Sequence, residues 1–144
     1  MFEKELKLDA LEKALQPVLE DYDWIIIDTP PSLSEQTLMP LNTKSDGGSY
    51  VVIMFDGSMF TYYAIPKFLD IVQASREFLN PDLQVAGILF SLIDARVKEN
   101  EPMQEAIEQE YPNLTFQSII KRKATTRRIA IEGFFDNHEL ASAV

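Results

Sequence analysis

The stretch that decides the fold lies near the start of the 144-residue chain, where residues 22–33 read Tyr-Asp-Trp-Ile-Ile-Ile-Asp-Thr-Pro-Pro-Ser-Leu. The apolar, mostly β-branched run at 24–27 predicts a strand that is buried on both faces, as is typical of a parallel sheet covered by helices. The two prolines would end this strand, because proline cannot donate to a sheet ladder. Asp28 would then lie at the carboxyl end of a strand, which is where parallel α/β sheets bind ligands.

On either side of this stretch, apolar periodicity predicts alternating helices and strands. Helices are expected at 8–19, 34–41, 65–79 and 101–110, and further strands at 50–55, 84–90 and 114–120. The alternating order predicts an α/β fold, a parallel sheet with helices on both faces. No linker or repeat interrupts residues 1–144, so we expect a single α/β domain. Pro66 is expected near the first turn of its helix, where proline is tolerated.

Composition excludes several classes of protein. Apolar residues make up 46% of the chain and charged residues 25%, which is ordinary globular usage and argues against bulk disorder. No apolar run approaches the roughly 20 residues of a membrane helix, and no signal peptide is visible, so we expect a cytoplasmic protein without a membrane partner. The absence of cysteine excludes disulfides and thiolate zinc sites, and the single histidine excludes a multi-histidine metal site.

Charge is unevenly distributed. The net charge of −10 repels nucleic acid when the chain is taken as a whole. One short segment is strongly basic, however, and its five cations are Lys121, Arg122, Lys123, Arg127 and Arg128. Because of this segment, DNA binding remains one interpretation of the sequence. The simpler alternative is that these cations form a charged surface that only keeps the protein in solution.

The string around Asp28 closely resembles the ParA-type partition ATPases, relatives of MinD with a deviant phosphate-binding loop. Residues 78–89 and the sequence Asp-Ala-Arg at 94–96 are similar to later blocks of the family, and parts of 119–133 fit its last block. The match spans roughly residues 11–133. The resemblance implies a P-loop NTPase-like fold of the deviant Walker, ParA/MinD type.

A phosphate-binding loop does not occur in this sequence. Such a loop needs glycines followed by lysine and serine or threonine, whereas the glycine pair Gly47-Gly48 is followed by Ser49 without a lysine. In the family the loop precedes the Asp28 block, and a helix follows the last block. We therefore expect a truncated, C-terminal portion of a ParA-like ATPase domain, which neither binds ATP tightly nor hydrolyses it alone.

The resemblance also implies a nucleotide switch. Asp28 would be the catalytic carboxylate, orienting magnesium-bound water beside ATP in the intact parent, and Thr29, Pro30, Pro31 and Arg122 would contact the nucleotide. The alternative is that Asp28 and the prolines have a structural role only, in which they end the strand and cap its last residues.

A DNA-binding role is implied for Arg96, which in the family grips DNA non-specifically once the protein has dimerised. Contacts to DNA phosphates depend on positive electrostatic potential rather than on one fixed residue position. Further positive charge would therefore come from Lys121, Lys123, Arg127 and Arg128. The family has proline where Lys121 stands and arginine where Thr125 stands. A solvated Arg96 remains the alternative.

Three functions stay open. The first is an ATP-driven switch for plasmid or chromosome partition, in which ATP and Mg²⁺ dimerise the protein, the homodimer coats non-specific DNA at the bacterial nucleoid, and a ParB-type partner triggers hydrolysis. The second is a catalytically inactive interaction or regulatory module, or a fragment. A MinD-like positioning ATPase is the third, although residues 137–144 do not supply the basic amphipathic helix it needs.

One architectural expectation concerns the sheet. By resemblance, the absent phosphate-loop strand would lie between the strand at 24–27 and the strand at 50–55. Those two strands should close up on each other, or a neighbouring chain or another piece of the parent should fill the gap. The aromatic residues Phe60, Tyr62 and Tyr63 are expected to pack in the core or between helices rather than to stack on bases.

Overall fold

A computed structural model describes residues 8–30, 34–93 and 100–122 of the protein. Three strands and four α-helices are seen in these ranges. In chain order they are α1 (Ala10–Leu15), a 3₁₀ helix (Gln16–Asp21), α2 (Glu35–Asn42), β1 (Ser49–Phe55), α3 (Met59–Phe78), β2 (Leu83–Ile93), α4 (Asn100–Glu110) and β3 (Thr115–Lys121). The helix that was expected over 8–19 therefore changes to 3₁₀ geometry around Pro17, because proline cannot donate the α-helical hydrogen bond.

The sheet is parallel, and its strand order is β1-β2-β3. Ile88 lies opposite Thr115, Phe90 opposite Ile119, and Ile93 opposite Lys121, with a register shift on each side of Phe90. The middle of β2, residues 87–91, is almost wholly buried, so this central strand is covered on both faces. The predicted parallel α/β class is confirmed.

The strand that was predicted over 24–27 is wrong. Residues 22–30 form no regular secondary structure apart from a bend, and Trp24 and Ile26 are 80% and 92% exposed. A strand needs a neighbour for its backbone N–H and C=O groups, and none of the three described strands pairs with this segment. Of the three outcomes expected for the gap beside β1, a pairing of 24–27 with β1 is not seen among the described strands, and the filling of the gap by a neighbouring chain or by another piece of the parent stays a prediction.

Strand β1 is buried on one face only. Ile53 and Phe55 are buried, whereas Tyr50, Val52 and Met54 are each about half exposed. Every residue from Tyr50 to Phe55 is apolar, which is the pattern of a strand that is covered on both faces. In the described sheet, however, β1 is an edge strand, so it shows the alternation of a half-covered strand.

The chain divides into two compact units, and the first comprises residues 1–51 and 68–84. Its hydrogen-bonding centre is Asn80, which is fully buried. The Nδ2 group of Asn80 donates to the carbonyl oxygens of Leu41 at 3.1 Å and Thr43 at 3.0 Å. The last carbonyls of a helix have no partner within the helix, so Asn80 satisfies the carboxyl end of α2.

The second unit comprises residues 52–67 and 85–144. Its core is aromatic and aliphatic, and contains Ile53, Phe55, Ile65, Ile88, Phe90, Ile93 and Ile107. The rings of Phe55 and Phe90 meet edge to face with their centroids 5.6 Å apart. Such a contact contributes about 0.5–1.5 kcal/mol beyond the burial of the rings, so it helps to hold β1 beside β2.

Helix α3 begins at Met59, six residues before the predicted start at Ile65. Asp56 and Ser58 lie just ahead of its first turn, as expected for residues that accept hydrogen bonds from free backbone N–H groups. Pro66 therefore lies about two turns inside the helix, and its predicted place near the first turn is wrong. The first turns were missed because residues 59–64 are almost continuously apolar or aromatic and therefore show no helical spacing. In the structure, side chains of these turns such as Phe60 are exposed.

Candidate functional site at the carboxyl ends of the strands

The carboxyl ends of the strands form one edge of the sheet, where α/β proteins bind their ligands. In the second unit, β1 ends at Phe55 and is followed by Asp56, β2 ends at Ile93, and β3 ends at Lys121 and is followed by Arg122. The edge therefore carries a carboxylate at the end of β1 and two cations at the end of β3.

The two cations are held in place by the backbone. Lys121 lies opposite Ile93 in the register of β2 and β3, and the backbone N–H of Arg122 donates to the carbonyl oxygen of Ile93 at 3.0 Å. Both side chains are exposed. Within the described ranges neither takes part in an ion pair with a carboxylate, so the end of β3 presents uncompensated positive charge to solvent.

Asp56 was not singled out in the sequence, and the structure shows it to be well ordered by hydrogen bonds. Its Oδ1 accepts from the backbone N–H of Ser58 at 3.0 Å and from the hydroxyl of Thr61 at 2.7 Å. Partial burial by itself would raise the pKa of Asp56, but the hydrogen bonds from Thr61 and Ser58 outweigh it and hold the pKa below its ordinary value. An aspartate, serine and threonine just after an apolar run could have indicated this helix start.

Asp28 lies in the first unit, on the segment without regular structure. Asp28, Thr29 and Pro30 are all exposed, and the hydroxyl of the buried Thr37 donates to the carbonyl oxygen of Pro30 at 3.4 Å. Pro31 lies outside the described residues. The segment thus presents an accessible carboxylate two residues before an anchor to α2, and its role toward nucleotide stays a prediction.

The other predicted DNA-binding residues lie outside the described ranges. They are Arg96, Lys123, Arg127 and Arg128. Of the predicted site residues, the structure brings together Lys121 and Arg122.

The described residues do not by themselves fit a magnesium site. None of their histidine, aspartate and glutamate side chains gather in groups of three or more that could hold a metal ion. Mg²⁺ in nucleotide sites takes one or two carboxylates together with phosphate oxygens and waters. Asp28 offers one exposed carboxylate, and Asp56 is engaged with α3, so neither fixes the ion without a phosphate-binding segment.

Comparison with known proteins identifies the family. A family model described as an AAA domain matches residues 1–85, more than half of the chain. The sporulation initiation inhibitor protein Soj from Bacillus subtilis is 32% identical over 112 residues, which are 78% of this chain and 43% of Soj. The chromosome partitioning protein ParA from Myxococcus xanthus is 30% identical over 112 residues, again 78% of this chain and 38% of that protein. The chain belongs to the ParA-type ATPase family. It spans less than half the length of these relatives.

Solved structures agree with this fold. Cobyrinic acid a,c-diamide synthase from Mycobacterium smegmatis, crystallised with an ATP analogue and magnesium, superposes with a TM-score of 0.70 and 26% identity. The superposition covers 85% of this chain and 47% of that one. The ParA-type chain therefore has a P-loop NTPase-like α/β fold. Among its described helices, none is long and apolar enough to cross a membrane.

Proposed function

We propose that the chain is part of a ParA-like ATPase that acts in plasmid or chromosome partition. In this proposal ATP and Mg²⁺ drive homodimerisation, the dimer binds DNA non-specifically at the nucleoid, and a ParB-type partner stimulates hydrolysis. The observation that carries the proposal is the Asp28-Thr29-Pro30 segment, whose carboxylate is accessible in a chain of ParA type. The names of the relatives Soj and ParA support the partition role.

The switch residues would act through position. Thr37 anchors Pro30, so the exposed Asp28 is held two residues from a fixed point of α2. A carboxylate so placed can accept a hydrogen bond from a water beside the terminal phosphate, and Thr29, Pro30 and Pro31 would contact the nucleotide, as the family resemblance implies. Mg²⁺ would supply charge neutralisation of the phosphates when it is bound.

The phosphates themselves would be held by a segment outside these 144 residues. The five glycines of the chain do not precede a lysine in the pattern of a phosphate-binding loop. The half-exposed face of β1 and its unpaired edge in the described sheet are where such a segment would add a strand.

DNA binding would use the basic end of β3. Lys121 is exposed there, and the sequence places Lys123, Arg127 and Arg128 shortly after it, with Arg96 shortly after β2. Contacts of this kind go to phosphates and carry no sequence information. With a net charge of −10, a single chain should bind DNA weakly, and two chains in one dimer would double the contacts.

The role of Asp28 toward the nucleotide is tested in a fusion protein that supplies a phosphate-binding segment. We would fuse the segment of B. subtilis Soj that precedes its matched region to this chain and measure Mg-ATP hydrolysis. Asp28→Ala should abolish turnover, whereas Asp23→Ala, which removes an equally exposed carboxylate five positions earlier, should leave it unchanged. Equal turnover in both variants would exclude Asp28 from the reaction.

The DNA role is tested in the same fusion protein with ATP present. Arg96→Ala and Lys121→Ala should each weaken binding to every duplex alike and should reduce the slope of log K against log salt by about 1. Arg76→Ala removes the same charge from the exposed side of α3 and serves as the control. A variant that changed the preference among sequences would contradict phosphate contact.

A catalytically inactive interaction module is the second candidate. The observation that favours it is the lack of a glycine-rich phosphate-binding loop in the sequence. In that case the fusion would remain inactive toward ATP, and Asp28→Ala would change nothing.

A further inference from the structure

Two of the glycines in the chain directly follow an aspartate. The pairs are Asp46-Gly47 and Asp56-Gly57, and no glycine follows an asparagine. In such a pair the backbone nitrogen of the glycine can attack the side-chain carboxyl of the aspartate, because glycine has no Cβ to hinder the approach. The two pairs share this chemistry, so the structure around each one decides whether it reacts.

The pair Asp46-Gly47 lies in an exposed turn ahead of β1, within the first unit. Both residues are exposed, and within the described ranges no hydrogen bond or ion pair holds the Asp46 carboxylate. The backbone N–H of Gly47 donates to Oγ of Ser45 at 3.2 Å, an exposed contact that water can replace. The side chain of Asp46 can therefore rotate onto the backbone nitrogen of Gly47.

The pair Asp56-Gly57 lies in the second unit, ahead of α3, and is held in place. Gly57 is buried, and the carboxylate of Asp56 accepts hydrogen bonds from Ser58 at 3.0 Å and Thr61 at 2.7 Å. Partial burial would raise the pKa of Asp56, but these hydrogen bonds hold it below its ordinary value, so less of the protonated carboxyl is present. An attack by Gly57 would have to break both hydrogen bonds first.

The reaction open to Asp46 is a ring closure that releases water. The backbone nitrogen of Gly47 bonds to Cγ of Asp46, the C–OH bond of the protonated carboxyl breaks, and the hydroxyl leaves with the proton of that nitrogen as water. A second water then opens the resulting succinimide at either carbonyl. Opening at the former main-chain carbonyl gives isoaspartate, whose backbone runs through Cβ and Cγ and whose α-carboxylate is free.

An isoaspartate at position 46 would lengthen the turn by one backbone atom. The backbone N–H of Gly48 donates to the carbonyl oxygen of Ser45 at 3.0 Å and so closes the turn across Asp46. The hydroxyl of Ser49 donates to the carbonyl oxygen of Thr43 at 2.8 Å, also across Asp46. Both contacts depend on the number of backbone atoms between their partners, so isomerisation should loosen the start of β1.

We propose that Asp46 isomerises spontaneously to isoaspartate in the folded chain, whereas Asp56 is protected by its hydrogen bonds. The modified turn would then be a substrate for an isoaspartyl carboxyl methyltransferase, which transfers a methyl group from S-adenosylmethionine to the exposed α-carboxylate. The methyl ester closes to the succinimide with loss of methanol, and hydrolysis can restore aspartate. Neither ATP nor DNA takes part, so failure of this proposal would leave the proposed ATPase function untouched.

Ageing the 144-residue chain tests the site. A folded sample and a sample unfolded in urea are incubated at neutral pH until the unfolded chain has formed isoaspartate. Trypsin cleaves after Lys44 and Lys67, so one peptide contains both aspartates, and electron-transfer fragmentation locates the modified one. In urea the two positions should react at similar rates. In the folded chain Asp56 should react at least about tenfold more slowly than Asp46, because two hydrogen bonds to its carboxylate must break.

Equal rates at the two positions of the folded chain would overturn the proposal. So would a folded chain without isoaspartate at Asp46 at a time when the unfolded chain has formed it.

Substitutions in the turn give a second test, read out by labelled methyl groups that a recombinant isoaspartyl methyltransferase transfers to the aged chain. Gly47→Ala keeps the turn, since the added Cβ would meet only the Ser45 hydroxyl at 3.7 Å, but should lower methyl incorporation at least about tenfold because the Cβ hinders the attack. Asp46→Glu keeps the charge and should have the same effect, since its longer side chain would have to close a larger ring. Undiminished incorporation in either variant would refute the assignment to Asp46.

The protection of Asp56 is tested by Thr61→Val, which removes the hydroxyl that holds its carboxylate. This variant should raise isoaspartate formation at Asp56 several-fold and leave the rate at Asp46 unchanged. An unchanged rate at Asp56 would contradict protection by this hydrogen bond.

Discussion

Replacing Gly87 with alanine should loosen β3 from β2 and destabilise the second unit. Gly87 is buried in the central strand at a φ of +154°, and an added Cβ would lie 2.7 Å from the carbonyl oxygen of Leu114. That oxygen accepts the hydrogen bond from the backbone N–H of Ile88 that begins the pairing of the two strands. The new methyl group and this hydrogen bond cannot occupy the same space.

The size of the effect follows from which neighbour can move. The Phe116 ring, 2.8 Å from the added Cβ, is partly exposed and can rotate away, but the carbonyl of Leu114 is backbone and can retreat only by breaking its bond to Ile88. A backbone conformation that alanine rarely adopts costs about 1–3 kcal/mol, and forced overpacking costs a similar amount. We expect Gly87→Ala to lower the free energy of unfolding by about 2–5 kcal/mol.

The assay is urea unfolding followed by circular dichroism, with Gly47→Ala as the matched control. At Gly47 the added Cβ would meet only the Ser45 hydroxyl, at an ordinary 3.7 Å, so stability should change by less than about 0.5 kcal/mol. Because the proposed DNA-binding residue Lys121 lies at the far end of β3, Gly87→Ala should also weaken DNA binding by the Soj fusion. A Gly87→Ala chain as stable as Gly47→Ala would refute the close approach of β2 and β3.

Two further substitutions test the local structure. Asn80→Ala should lower the free energy of unfolding by about 1–3 kcal/mol, because the buried carbonyl of Leu41 loses its donor, whereas the carbonyl of Thr43 keeps the hydrogen bond from the Ser49 hydroxyl; the exposed Asn113→Ala is the control, and equal midpoints in urea would contradict this. Thr61→Val should raise the pKa of Asp56 toward its ordinary value, as measured by NMR titration. A lowered carboxyl pKa stabilises the fold above about pH 4, and this benefit is lost as the pH falls through the folded-state pKa. The variant should therefore have a lower free energy of unfolding at neutral pH, and that free energy should fall less steeply on acidification. An unchanged Asp56 titration would count against the hydrogen bond.

Most of the fold was predictable because, in the central part of the chain, the apolar pattern and the turn residues agree with the secondary structure that forms. The strand predicted at 84–90 is seen at Leu83–Ile93 and the strand predicted at 114–120 at Thr115–Lys121, since their apolar runs are bounded by turn residues. The strand at Ser49–Phe55 was also predicted in place, although not its one-sided burial. That burial depends on which strand lies beside β1, and no local pattern contains this information.

The segment at 24–27 shows the limit of such reasoning most clearly. Three isoleucines and a tryptophan indicate a strand only if another strand accepts their backbone hydrogen bonds, and the three described strands do not. Asp56 was missed for the opposite reason, since its role comes from the hydroxyl of Thr61 five residues on, across the start of a helix. Phe60 and Tyr63 are 89% and 63% exposed, so the expectation that these rings pack in the core or between helices of the chain is wrong.

The central claim is that this chain carries the switch segment of a ParA-like ATPase but not the groups that hold the phosphates. Isothermal titration with Mg-ATP tests it most directly, on the 144-residue chain alone and on its fusion to the preceding segment of B. subtilis Soj. We predict no saturable micromolar binding to the chain alone and stoichiometric binding to the fusion. Stoichiometric micromolar binding of Mg-ATP by the chain alone would contradict the claim.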